Sequence, residues 1–339
     1  MRGLSSAFGA LVVAASTLLL PPLVLEGARA VLGQGEEPRY SGSLLYVSRG
    51  GIWQMNLASL ERRPFLSPPN TTITHVAHSW DRQRLAYSMS IRGSRFELLE
   101  SSIEIASIDG SERRTVVHED RTGATVEWPS WSPHGTSLVY SKTVASERTQ
   151  RIEEVELATG IRTLVAEAGS SPAYSADGQS VVFPSPAGRN WAIWSVPRAG
   201  EVPHAVVTGA GFDDVDHPLY APDGSFIAFL GAGSGPPPLA RPHDGIVRRL
   251  GLLIPVVSAH PLPGGQYDLW TVRPDGSGLD RAAELTSEEP YLSWSPDGHY
   301  LASWGRLGLQ IVDMWSDRPM RSVRWLTALP GGSPISWGP

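Results

Sequence analysis

A short phrase, aromatic residue–Ser–Pro–Asp–Gly, recurs through this chain of 339 residues and restricts it to one kind of architecture. Its complete copy is Trp294-Ser295-Pro296-Asp297-Gly298. Pro presets φ at the second turn position, Asp suits the third, and Gly takes the left-handed conformation that closes a hairpin. Variants stand at Trp131-Ser132-Pro133-His134-Gly135, Tyr174-Ser175-Ala176-Asp177-Gly178 and Tyr220-Ala221-Pro222-Asp223-Gly224. A degraded first copy is aligned as Trp80-Asp81-Arg82-Gln83-Arg84, and Trp337 opens a last one at the chain end. The six aromatics follow one another at roughly 43–51 residues, with one longer interval of about 74, the period of a closed repeat array.

Each turn is followed by a short apolar strand, such as Leu138-Val139-Tyr140 or Leu301-Ala302-Ser303-Trp304. A third strand comes next, as at Ile103-Glu104-Ile105 or Asp268-Leu269-Trp270-Thr271, and then a weaker fourth. Four antiparallel strands per module make one propeller blade. The ends set the count. Pro334-Ile335-Ser336-Trp337 is a first strand with no second strand after it, while Ser43-Leu44-Leu45-Tyr46 is a second strand with no first before it. Joining them predicts a sixth blade built from both termini, which covers the sheet edges of an open array. The expected fold is therefore all-β, a six-bladed β-propeller of four-stranded antiparallel blades closed by its N- and C-terminal strands. The five quoted turns and their spacing resemble the TolB-type propellers with WD40-like Pro-Asp-Gly repeats, over about residues 41–339. That resemblance implies an extracytoplasmic propeller that binds a partner or ligand; it is specific for fold, since propellers host many activities.

Residues 1–30 stand apart. Arg2 precedes an apolar run from Ala7 to Leu25, and Ala28-Arg29-Ala30 offers the small-x-small pattern of a cleavage site. The segment is expected to be a signal peptide, broken by Pro21-Pro22, or alternatively an uncleaved membrane anchor. Either reading puts the body outside the cytoplasm, secreted, periplasmic or anchored, with residues 31–40 as a linker. The chain has no cysteine, which removes disulfides, thiolate metal sites and thiol nucleophiles. The net charge of −6 becomes one unit more negative without Arg2, Glu26 and Arg29. A mildly acidic body argues against nucleic acid, and against a membrane surface except through the N-terminal anchor. A monomer is expected.

Strand alternation sorts the connections by face. The Pro-Asp-Gly turns fall on one face; longer, variable loops fall on the other, including an insertion at residues 231–266 that holds Gly235-Pro236-Pro237-Pro238 and an apolar run ending at Val257. Function on repeat scaffolds sits in such loops. The residue three before each aromatic (Ala77, Trp128, Ser171, His217, Tyr291 and Pro334) is expected at the channel mouth on that face. With Glu127, Asp213, Asp214, Asp216 and Glu289 these make an acidic, aromatic mouth suited to a protein partner or to a cationic or sugar-like small ligand. The six motif aromatics, Trp80, Trp131, Tyr174, Tyr220, Trp294 and Trp337, are expected to pack between blades rather than to bind anything.

No cofactor is expected. Asp213, Asp216 and His217 are the candidate ligands should a divalent cation enter the channel. His75 and His78, three apart on a strand, point to opposite faces and do not share one ion. The chain has no Gly-x-Ser-x-Gly elbow and no His-Glu-x-x-His. It is expected to be a noncatalytic binding or protein-interaction module. The alternative is a metal-assisted carbohydrate lyase with its site at the mouth, a chemistry that needs several converging His ligands.

Overall fold

The computed structural model describes residues 40–94, 97–120, 123–188, 190–198, 202–233, 235, 266–288, 290–315, 323–327 and 333–339. The expected leader and linker, most of the 231–266 insertion and Glu289 lie outside them. Residues Tyr40–Pro339 form one compact unit, and no helix among the described residues is long and apolar enough to cross a membrane.

The described elements are strands in six four-stranded antiparallel sheets, the blades of a propeller. Blade 1 combines β1 (Ser43–Ser48), β2 (Gly51–Asn56) and β3 (Arg62–Leu66) with the last strand of the chain. Blade 2 holds β4 (Thr72–His78), β5 (Arg84–Arg92), β6 (Leu98–Ser107) and β7 (Arg114–Asp120). Blade 3 holds β8 (Ala124–Trp131), β9 (Ser137–Val144), β10 (Thr149–Glu156) and β11 (Arg162–Ala166). Blade 4 holds β12 (Ala173–Tyr174), β13 (Ser180–Ala187), β14 (Asn190–Pro197) and β15 (His204–Val207). Blade 5 holds β16 (Asp214–Tyr220), β17 (Ile227–Ala232), β18 (Gln266–Val272) and β19 (Asp280–Glu288). Blade 6 holds β20 (Tyr291–Trp294), β21 (Tyr300–Gly305), β22 (Gly308–Asp313) and β23 (Val323–Thr327).

The termini close the ring as expected. The last strand, β24 (Ile335–Gly338), pairs antiparallel with β1, placing Leu44 opposite Trp337 and Ser43 opposite Gly338. Val47 N donates to Pro334 O, Trp337 Nε1 to Ser41 O, and Ser43 Oγ to Pro339 O. Backbones approach so closely here that a Cβ on Gly42 would collide with the Gly338 carbonyl.

Six apolar clusters among the described residues correspond to the six seams between blades. Trp131 packs with Ile103 and Val117 of blade 2, Tyr174 with Val139 and Ile152 of blade 3, and Tyr220 with Ile193 of blade 4. Trp294 packs with Ala228 and Leu269 of blade 5, and Trp337 with Trp304 and Ile311 of blade 6. These five aromatics are buried, at 7% exposure or less. Trp80 departs from the expectation: it is 36% exposed and belongs to no cluster. At the seam between blades 1 and 2 the buried ring is instead Tyr87, beside Leu45 and Ile52.

Trp337 joins the two ends of the chain and fills the seam they share. Trp337→Ala should therefore lower stability by about 3–5 kcal/mol, the cost of emptying a buried aromatic site. Urea denaturation measures it, and removal of residues 337–339 should cost more, since the pairing with β1 goes too.

Candidate binding site in the central channel

Side chains on the innermost strands, β4, β8, β12, β16, β20 and β24, meet on the propeller axis. Which residues meet depends on the turn that ends each strand. In blade 4, Ser175 Oγ donates to Asp177 Oδ1, Gln179 N donates to the same oxygen, Ser180 N donates to Ser175 Oγ, and Gly178 N to Ser175 O. Blade 6 repeats these bonds with Ser295, Asp297, His299, Tyr300 and Gly298. Blade 2 makes the same set with Ser79, Asp81, Gln83, Arg84 and Arg82. The first copy of the motif is therefore His78-Ser79-Trp80-Asp81-Arg82, two residues earlier than its Trp indicates. His78 holds the aromatic position, Trp80 the proline position, and Arg82 the glycine position, at φ 59°.

This corrects the mouth ring. Its member from blade 2 is His75, not Ala77, and the ring reads His75, Trp128, Ser171, His217, Tyr291 and Pro334, all on the wall of one cavity. Four of these rings pack together across the mouth. Trp128 lies 4.0 Å from His75, 4.5 Å from His217 and 5.7 Å from Tyr291, with which it is stacked, and His217 meets Tyr291 edge-on at 5.1 Å. The backbone aims them at some cost. Trp128, Ser171 and His217 have φ of 59°, 43° and 50°, and each precedes a proline, Pro129, Pro172 or Pro218. In β8 and β16 the strand register slips by one residue across these pairs, between Glu127 and Ser130 and between Asp216 and Leu219. Such bulges re-aim a side chain, and left-handed L-residues cost of order 1–3 kcal/mol each.

Of the carboxylates expected beside the rings, the described ones, Glu127, Asp213, Asp214 and Asp216, do not line the cavity. Asp214 accepts from Tyr267 OH at 2.6 Å and from Val215 N. Asp216 accepts from His217 N at 2.7 Å, and its other oxygen lies 3.1 Å from His217 Nδ1 without hydrogen-bond geometry; neither imidazole nitrogen of His217 is hydrogen-bonded. Asp213 is exposed on the loop before β16. Glu127 reaches Thr74, whose hydroxyl lies 3.1 Å from His75 Nδ1; burial raises the Glu127 pKa against the opposing pull of Thr74 and Arg92. Alternation explains the outcome, because a residue adjacent to a channel-facing one points away from the channel. No three His, Asp or Glu side chains among the described residues converge to hold a metal ion, so Asp213, Asp216 and His217 do not form the set their spacing offered.

The cavity occupies about 330 Å³. Beyond the four rings its wall is made of small and apolar groups, including Ala77, Ser130, Ala173, Leu219, Ser293 and Ser336. At the turn end it meets Trp80, Arg82, Pro222 and Pro296. No Asp or Glu lies among its described lining residues. His78 is hydrogen-bonded through Nδ1 to Ser336 of β24 at 2.7 Å. The turn positions of His78 and Arg82 are masked in the sequence by the neighbouring Trp80; the Ser79-x-Asp81 spacing, identical to Ser175-x-Asp177, is the signal that marks them.

No family model matches the chain. In fold it is similar to TolB from Acinetobacter baumannii, at 17% identity and TM-score 0.61, over 89% of this chain and 67% of that one. It is also similar to a chain of the nidogen/laminin complex, at 13% identity and TM-score 0.58, over 87% and 98%. A third likeness is to oligogalacturonate lyase from Vibrio parahaemolyticus, at 12% identity and TM-score 0.51, over 85% and 76%. The six-bladed TolB-like propeller is thus shared; at these identities the likeness is one of fold.

Burial lowers the pKa of His75 to about 3, with His217 adding to the effect, and burial with the nearby Arg82 charge lowers that of His78 to about 3. In the unfolded chain both return to about 6.5. Between those values the unfolded state binds more protons, so stability falls as pH drops from about 6.5 toward 3. Each histidine contributes a slope approaching about 1.4 kcal/mol per pH unit. Urea denaturation at pH 6.5, 5.5 and 4.5 should show this decline, and His78→Phe should remove roughly half of it.

Proposed function

We propose that this chain is a noncatalytic binding propeller, working outside the cytoplasm, that engages a protein partner with its long-loop face around the aromatic mouth of the channel. The observation that carries this reading is the ring cluster of His75, Trp128, His217 and Tyr291, two of whose members, Trp128 and His217, are held on left-handed backbone that costs free energy to keep. Trp128 and Tyr291 remain partly exposed there, and aromatic anchors of this kind dominate protein interfaces. The expected 231–266 insertion starts and ends at this face, where β17 ends at Ala232 and β18 begins at Gln266. A cationic small ligand is disfavoured, because the ring faces are occupied by one another and Asp214 and Asp216 are engaged locally. The apolar leader with its small-x-small end supports the extracytoplasmic setting. The fold likenesses to TolB and to a chain solved in the nidogen/laminin complex agree with a binding role.

The second reading is a metal-assisted carbohydrate lyase, favoured by the fold likeness to oligogalacturonate lyases, one of them solved in complex with manganese. Only His75 and His217 approach each other at the mouth, and the described residues bring no third ligand to them. Asp216 lies beside His217, but no group of three His, Asp or Glu side chains among the described residues could hold a metal ion.

Cross-linking of the exported protein in its native envelope, followed by peptide mapping, tests the partner reading. Contacts are expected at residues of the long-loop face. The combined variant Trp128→Ala, His217→Ala, Tyr291→Ala should lose the partner while circular dichroism stays that of a β-protein; retained capture would overturn the proposal. Stoichiometric manganese or zinc in protein purified without chelator would favour the lyase instead.

A further inference from the structure

We propose that the turn end of the channel is a binding site for a small organic carboxylate, held by Arg82. In the other quoted turns this position is glycine: Gly135, Gly178, Gly224 and Gly298, all at positive φ. Arg82 adopts the same left-handed conformation, so the turn geometry alone favours glycine and gives no reason for a long cation. Arg82 is on the cavity wall, and among the described lining residues it carries the permanent charge, with no Asp or Glu among them. One side-chain hydrogen bond is made, from Nη1 to Trp337 O at 2.6 Å, and among the described residues no carboxylate lies within ion-pair reach. A guanidinium carries five N–H donors, and its planar fork matches a carboxylate two bonds at a time.

The surroundings define the rest of the ligand. Trp80 stands at the rim with its indole Nε1 already donating to Trp131 O, which leaves an apolar ring surface toward the opening. Pro222 and Pro296 add apolar wall, and the hydroxyls of the lining residues Ser293 and Ser336 accept from Trp337 N and His78 N. A carboxylate on a compact apolar or aromatic body fits such a lining better than inorganic phosphate, which would leave most of its oxygens facing carbon. This site lies at the end of the channel opposite the mouth and does not depend on the partner reading.

Benzoate serves as the probe and benzamide as its neutral isostere. Isothermal titration and thermal unfolding with the full chain should show saturable benzoate binding, with a Tm that rises with benzoate and not with benzamide. Arg82→Gln keeps a donor for Trp337 O while removing the charge, and should weaken benzoate at least tenfold with little change in Tm of the free protein. Arg82→Lys keeps the charge without the fork and should fall between them. Equal responses to benzoate and benzamide, or unchanged benzoate affinity in Arg82→Gln, would overturn the proposal.

Discussion

Everything in this protein rests on the pairing of its last strand with its first. A blade is apolar on both faces, and each face is covered only by the neighbouring blade. An open row of six would leave two apolar faces and unpaired strand edges in water. The four residue pairs between β1 and β24 remove both problems at once. They also bring together residues almost three hundred positions apart, so the closing contact carries a loop-closure cost that grows only slowly with length. Trp337 offsets that cost by joining the apolar cluster of blades 1 and 6. Close backbone approach is part of the device, which is why Gly42 faces the Gly338 carbonyl with no room for a side chain.

Closure fixes the channel, and departures from sixfold regularity give it chemical character. A perfectly repeated blade would place six equivalent side chains on the axis. Here the ring is His, Trp, Ser, His, Tyr and Pro, and three of its members precede prolines on left-handed backbone. The packing of four rings against one another, of which His75 is buried and the others half-buried, offsets the conformational cost. At the other end the departure is of a different kind, an arginine where glycine serves elsewhere. Regular positions hold the scaffold; irregular ones face the cavity.

The architecture was legible because its signals are local and repeated. The turn residues recur, the spacing is near constant, and the half-blades at the two ends complement one another. The site was legible only in part. Trp128, His217 and Tyr291 follow from counting back three residues from a turn aromatic, and the structure does gather them. Blade 2 is not legible from its aromatic, because Trp80 stands at the proline position and only the Ser79–Asp81 pair, whose hydrogen bonds define the turn, marks the register. The acidic mouth failed for a related reason. Glu127 and Asp216 neighbour channel-facing residues, and a period of two sends neighbours to opposite sides. The bulges that restore Trp128 and His217 to the axis depend on backbone geometry that composition does not announce.

The resulting distribution of charge sets how the channel can select. The body is net negative, while the described residues of the cavity wall include Arg82 and no carboxylate, and His75 and His78 stay uncharged down to about pH 3. A negative exterior does not draw anions from a distance, so long-range steering works against an anionic ligand and a surplus of exposed charge would not help it. Selection must then act at short range, after desolvation, where one guanidinium in an apolar wall is worth more than several in water. A cation would meet the reverse arrangement, attracted to the surface and refused by the lining. For the proposed carboxylate site, discrimination would thus act by contact, and such specificity should survive added salt better than that of any patch on the outer face.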